Sequence, residues 1–196
     1  MKQLVVLVGC AVFLSGLAGC QRPAQTTPPV SGVEVIIEGG GEFPQFLAGT
    51  WKADKDGWEF VFERDGTISS AVIDSGMIRV TPSEKVATIA TRPLKDGGKG
   101  VYELGQWAVQ YSPDNRELAV EVVVEHYNLN MGSFGLEGHS TDWFVGPVSE
   151  DSQMWEAEWF TFRKTTAWGP EPLEFPFDPN DNPIDTVVFR KQPETN

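Results

Sequence analysis

The stretch WEFVFERDGTISSAVI, residues 58–73, indicates the fold class. Trp58, Phe60 and Phe62 alternate with Glu59, Val61 and Glu63, which is the two-residue period of a strand with two different faces. The dipeptide Asp65-Gly66 follows at once, and this pair is the strongest short signal for a tight hairpin turn. We therefore expect two antiparallel strands, with residues 67–73 returning beside residues 58–63.

The same pattern continues along the chain. Short apolar or alternating runs, separated by Gly, Pro, Asp and Asn turns, predict further strands at 77–81, 86–91, 100–111, 117–127, 142–146, 154–164 and 186–191. No segment shows a helical period, and no internal repeat suggests a propeller or solenoid. The expectation is an all-β domain, an antiparallel up-and-down barrel of about 8–10 strands. We prefer a barrel to a sandwich because closure leaves no exposed strand edges.

The N-terminus resembles that of bacterial lipoprotein precursors. Lys2 precedes an apolar run from Leu4 to Leu14, which is shorter than the ~20 residues that a spanning helix needs. The run leads into Leu17-Ala18-Gly19-Cys20, which resembles the lipobox of that class. The resemblance implies cleavage before Cys20 and attachment of acyl chains to its thiol. The alternative is an ordinary secretory signal that happens to end beside a cysteine.

This interpretation divides the chain into four parts. We expect a signal peptide at 1–19, a lipidated Cys20 and flexible tether at 20–44, the barrel at 45–191 and a short tail at 192–196. The prolines and polar residues of 21–32 cannot bury enough surface to fold. Residues 33–38 could instead form a first strand. Gln21 directly after the cysteine favours the outer membrane over the inner membrane in the common sorting rule of the class.

The charge and the cysteine count restrict the partners. The chain has 28 acidic and 15 basic residues, for a net charge of -13. A surface of this kind repels nucleic acid, and it is also an ordinary way to remain soluble. The second cysteine, Cys10, lies in the expected signal peptide, so the mature chain has no disulfide and no cysteine-based metal site.

Three short motifs resemble those of lipocalins. Gly49-Thr50-Trp51 is similar to the family's Gly-x-Trp signature, and Thr141-Asp142-Trp143 is similar to its Thr-Asp-Tyr motif. Arg163 follows at the end of a later strand, where the family carries a basic residue. The resemblance implies that Trp51 closes one end of the barrel, with Arg163 over its ring as a cation–π partner. Arg190 is the alternative cation.

No catalytic residue, metal site or cofactor is predicted, and we expect the protein not to be an enzyme. His126 and His139 do not have the spacing of metal ligands, and no nucleophile motif occurs. The expected ligand is a small apolar molecule or a saccharide, and we expect Trp107, Tyr111 and His126 to line its site. His126 is placed there because it shares a strand face with residues 118, 120, 122 and 124, although a histidine in that position is more often a core or rim residue.

Two functions therefore fit the sequence. The first is a membrane-tethered binder of a small apolar or saccharide ligand. The second is a non-enzymatic envelope protein with a filled barrel that acts through surface loops, of which the glycine-containing segment 128–138 is the best candidate.

Replacing Cys20 by alanine tests the anchor. We expect Cys20→Ala to give an uncleaved or a soluble protein, because one thiol carries all the acyl chains and each buried CH₂ contributes about 0.8 kcal/mol to membrane residence. Membrane fractionation with N-terminal sequencing measures both outcomes. A variant that is cut at the same site and stays fully in the membrane fraction would refute the lipoprotein interpretation.

Overall fold

The computed structural model describes residues 32–73, 78–88, 99–130, 132–169 and 184–193. The expected signal peptide, Cys20 and the chain end after residue 193 lie outside these ranges. The described chain is all-β, apart from a 3-10 helix at Gln45–Leu47. Its strands are β1 (Val33–Ile37), β2 (Gly49–Ala53), β3 (Glu59–Phe62), β4 (Ile68–Ile73), β5 (Ile78–Val80), β6 (Val86–Thr88), β7 (Lys99–Leu104), β8 (Trp107–Ser112), β9 (Glu117–Asn130), β10 (Gly135–Pro147), β11 (Met154–Trp168) and β12 (Ile184–Lys191). Within the described ranges, no helix has the length and apolar character needed to cross a membrane.

The hairpin predicted from residues 58–73 is confirmed as β3 and β4. In its turn, the carboxylate of Asp65 accepts hydrogen bonds from the backbone N–H of Thr67 at 3.0 Å and from the Thr67 hydroxyl at 2.7 Å. These two bonds hold the pKa of Asp65 below its usual value. Gly66 has a φ of +87°, and a Cβ there would lie 2.6 Å from the Phe43 ring. The turn therefore needs glycine for its conformation and for space.

All strands belong to one sheet, with the order β1-β8-β9-β10-β11-β12-β2-β3-β4-β5. Neighbours in this order pair antiparallel, except that β1 pairs parallel with β8. The long strand β9 also pairs with β7 through its second half, and β7 pairs with β6. The last strand, β12, returns to the first strand of the meander, β2.

The expected closed, antiparallel barrel is wrong in two respects. The sheet is mixed, because β1 adds in parallel to β8, and it is open, because the described residues of β1 and β5 at the two ends of the order do not pair with each other. The number of strands also exceeds 8–10, partly because the predicted strand 100–111 is two strands. Gly105 lies at the break between them, where a Cβ would meet Val123 Cγ1 at 2.6 Å.

Residues 33–37, which the sequence allowed as tether or strand, form β1. The inward-facing Val33 of this strand is buried. Gly32, just before it, accepts a hydrogen bond from the backbone N–H of Trp107 at 2.9 Å. A Cβ on Gly32 would lie only 2.4 Å from the Pro82 carbonyl oxygen. The chain therefore enters the sheet through a tight passage beside the β5–β6 turn.

Aromatic rings fill the concave side of the sheet and hold its curvature. The Phe144 ring on β10 lies 4.8 Å from the Trp58 ring beside β3 and 5.6 Å from the Phe60 ring on β3. It also contacts Phe189 on β12, at 5.5 Å. Three strands separate β3 from β10 in the sheet order, so these contacts cross the interior. Rings at these separations are within favourable range.

Trp51 is buried in this interior, but its cationic partner is not Arg163. The buried indole donates from Nε1 to the Leu47 carbonyl oxygen at 2.8 Å. Nζ of Lys191 lies 6.0 Å from the centre of the Trp51 ring and donates to the Phe46 carbonyl at 2.7 Å. Arg163 instead pairs in register with Ser140, on β10. Arg190, the alternative, points outward and contacts Met154 Sδ at 3.2 Å.

We expect Trp51→Ala to lower the free energy of unfolding by about 3 to 5 kcal/mol, as for a buried aromatic side chain. Lys191→Met keeps the aliphatic stem and removes the charge, and should cost about 1 to 2 kcal/mol through the lost hydrogen bond and ring contact. The two effects should be non-additive in urea melts, since the side chains touch. Arg163→Met is the matched control, and coupling of Trp51 to Arg163 instead of Lys191 would contradict this assignment.

Candidate functional site

Two of the predicted ligand-binding residues are part of the packed core. Trp107 and Tyr111 on β8 are both buried. The Trp107 Nε1 donates to the Val123 carbonyl oxygen at 3.0 Å, and the Tyr111 ring packs edge-on against Phe46 at 6.1 Å. Each side chain is therefore occupied by protein contacts. The interior beside β8 is therefore filled by protein side chains.

His126 does not share the face of Leu118 and Val124, because β9 contains a bulge. Towards β10, the partner of Gly138 is Tyr127 and the partner of Ser140 is Val124, so β9 carries one extra residue there. An extra residue reverses the alternation of faces. Tyr127 consequently turns inward and is buried, whereas His126 is partly exposed, with Nδ1 3.9 Å from Glu103 Oε1. The structure thus does not bring the three predicted residues into one cavity.

The Thr141-Asp142-Trp143 motif spans both faces of β10. Asp142 points inward, is 3% exposed, and accepts a hydrogen bond from Trp159 Nε1 at 3.0 Å. Trp143 points outward, and its Nε1 donates to Glu121 Oε1 at 3.1 Å. Thr141 lies beside it on the outer side, opposite Phe162.

The interior changes character beyond Phe144. Most inward residues of β10 and β11 there are polar, although Val122 and Val124 on β9 opposite them are buried and apolar. We call the following residues the polar end: Tyr127, Ser140, Asp142, Trp159, Thr161, Arg163 and Thr165. The hydroxyls of Tyr127 and Thr165 are hydrogen bonded to each other. Thr161 lies opposite Asp142, and its Oγ1 is buried without a hydrogen-bond partner. Buried polar atoms are nearly always paired, so this hydroxyl is an exception that needs an explanation.

Apolar side chains also cover part of the convex side of the sheet. We call this set the aromatic face: Val123 on β9, Trp143 on β10, Phe160 and Phe162 on β11, and Ile184 on β12. Trp143 lies opposite Phe160, which lies opposite Ile184 on its other side. Trp143 is 36% exposed, Phe162 49% and Ile184 72%. The His139 ring packs against Phe162 at 5.9 Å and extends this surface along β10.

Carboxylates lie beside the aromatic face on β9, β10 and β11. Strands β9, β10 and β11, residues 117–130, 135–147 and 154–168, carry six glutamates: Glu117, Glu121, Glu125, Glu137, Glu156 and Glu158. On these three described strands, Lys164 is the only outward-pointing lysine or arginine. An apolar centre with a polar rim is the usual anatomy of a protein interface.

This surface is not among the predicted sites, although the sequence contains a signal for it. Trp159, Phe160 and Phe162 place large aromatic groups at both odd and even positions of one strand. Because successive strand residues point to opposite faces, one of the two sets must lie outside the core. The predicted contact loop at 128–138 is mostly regular, since β9 extends to Asn130 and β10 begins at Gly135.

Two surface hollows lie beside β1, β2 and β3. One has a volume of about 510 Å³ and is lined by residues including Val35, Phe43 and Arg64. Its neighbour has a volume of about 380 Å³ and includes Gly49 and Lys191. None of the predicted ligand-binding residues lines either hollow. Among the described residues, no group of three or more His, Cys, Asp or Glu side chains is arranged to hold a metal ion.

The comparisons with known proteins add no further information about this site. No protein-family model, curated protein or solved structure matches the chain. The aromatic face and the polar end are the features of the described chain that bear on its function.

Proposed function

We propose that this protein is a bacterial envelope lipoprotein, anchored by acyl chains on Cys20, whose β-sheet domain binds a partner through the aromatic face and has no enzymatic role. The observation that carries the proposal is the exposure of Trp143, Phe162 and Ile184 together on the convex side of the sheet. Contiguous apolar patches on a soluble surface generally mark interaction sites. The packed state of Trp107 and Tyr111 supports this function over an apolar ligand in the interior.

The expected anchor limits where the partner is found. Eleven residues, 21–31, separate Cys20 from Gly32, the first described residue. If these residues form the expected tether, a random coil of this length spans about 20 Å on average, and fully extended it reaches about 40 Å. The partner accordingly lies close to the membrane surface, and Gln21 favours the outer membrane.

Part of the lipocalin resemblance is retained in this proposal. A buried tryptophan after Gly49, with a cation over its ring, is what that resemblance implied, and here the cation is Lys191. We infer a lipocalin-like domain with an open sheet and a filled aromatic end. A domain of this kind binds its partner through its outer surface rather than through its interior.

A photo-crosslinking residue at position 162 tests the proposed contact in living cells. We expect ultraviolet light to give one defined adduct with an envelope component, identified by mass spectrometry, because residue 162 would lie inside the interface. Glu34 on β1 is exposed and outside the aromatic face, so the same residue at position 34 is the control. The absence of an adduct at 162, or an identical adduct at both positions, would refute the proposal.

The polar end supports a second candidate function, the binding of a small hydroxyl-rich ligand such as a saccharide. The unpaired hydroxyl of Thr161 beside the carboxylate of Asp142 carries this candidate, because a ligand hydroxyl can pair with both groups. The indole of Trp159, held by Asp142 and stacked on Phe144 at 6.0 Å, separates these polar groups from the aromatic core.

Native mass spectrometry tests this second function. The Cys20→Ser chain, purified from its host, should carry an extra discrete mass that is reduced in Thr161→Val, a substitution of nearly equal volume. Thr141→Val, on the outer side of the neighbouring strand, is the control and should retain the mass. If the host-purified chain has only its own mass, the interior is not a ligand site.

A further inference from the structure

The charges around the aromatic face identify the kind of partner that it fits, and this inference rests on the proposed function. We propose that the aromatic face binds a cationic segment of a partner protein, one in which lysine or arginine alternates with apolar residues. The apolar centre extends across β9 to β12, which is roughly 14 Å at the usual strand spacing. A segment of extended chain fits such a width.

The rim is acidic beside Trp143 and Phe160, whereas Lys164 follows Phe162 on the same side of β11. Glu121 lies directly opposite Trp143, and Glu158 is the outward residue of β11 next to Phe160. Glu121 already accepts the hydrogen bond from Trp143 Nε1, which fixes the carboxylate beside the ring. An approaching cation therefore meets a negative charge and an aromatic face at the same point.

Basic side chains are suited to both parts of this surface. The stem of a lysine or arginine packs on apolar surface while its charged head remains at the polar rim. A cation over the face of a tryptophan or phenylalanine ring gains a further attraction. Opposite charges also steer the encounter and exclude acidic competitors.

Other occupants fit less well. A second copy of the chain would place the aromatic faces of both copies together in a twofold contact. The glutamates of the two rims would then lie against each other, which opposes association. Anionic membrane headgroups would be repelled by the same glutamates and by the net charge of -13. A neutral saccharide gains nothing from the charge of the rim.

Fluorescence anisotropy with two labelled peptides tests the proposal. The probe is a short peptide of lysine interspersed with phenylalanine and glycine, and its counterpart has glutamate in place of lysine. The full chain with Cys20→Ser should bind the lysine peptide, and added salt should weaken the complex. The glutamate peptide should not bind.

Matched variants locate the binding. Phe162→Ser and the pair Glu121→Gln with Glu158→Gln should each raise the dissociation constant of the lysine peptide about tenfold, which corresponds to about 1.4 kcal/mol. The pair Glu63→Gln with Glu84→Gln removes the same charge from exposed positions outside the aromatic face and should have little effect. Circular dichroism checks that each variant folds.

Four results would overturn the proposal. The first is an equal loss of peptide affinity in the control pair, which would indicate non-specific charge attraction. The second is a dimer that Phe162→Ser dissociates, and the third is vesicle binding that depends on Phe162. The fourth is that the lysine peptide does not bind at all. The crosslinking experiment separates the two levels of inference. An adduct at position 162 without peptide binding leaves the interaction face in place and refutes only the cationic partner.

Discussion

The contact of Phe144 with Trp58 and Phe60 joins two parts of the sheet that have no shared hydrogen bonds. A closed barrel is held round by its ladder of backbone bonds, but in this sheet the described ends, β1 and β5, are not paired with each other. Side-chain packing across the interior must therefore maintain the curvature. The size of the rings matters, because smaller side chains would leave the two walls apart and voids between them are costly.

This division of roles explains why the two sides of the sheet differ. Aromatic side chains fill one end of the interior. Trp51 lies there and is held by the Leu47 carbonyl and by Lys191. With the interior occupied there, the polar end and the convex side of β9–β12 are the surfaces left for the proposed recognition. Strands β9, β10 and β11 have 14, 13 and 15 residues, respectively, and their length provides both an inner wall and a broad outer surface.

Local features could be predicted from the sequence, whereas long-range features could not. The β3–β4 hairpin is encoded by adjacent residues and was predicted correctly, as was the all-β class. The position of His126 was wrong because a bulge near Glu125 depends on pairing with β10 rather than on local sequence. The prediction of an arginine over Trp51 was wrong for a related reason. Arg190 and Lys191 are neighbours with opposite orientation, and the register of β12 with β2 places Lys191 opposite Trp51. Parallel pairing of β1 with β8 has no local signal either.

The entry of the chain through β1 has a mechanical consequence. If the chain is held to a membrane ahead of Gly32, tension on the tether is applied to the first residue of a strand that is hydrogen bonded along β8 and has Val33 inserted in the core. A pull along the strand axis loads the paired residues from Val33 to Ile37 together, whereas a pull across it opens them one at a time. Resistance to force is governed by the unfolding rate rather than by equilibrium stability. The direction from which such a tether pulled would therefore determine how well the domain resists unfolding.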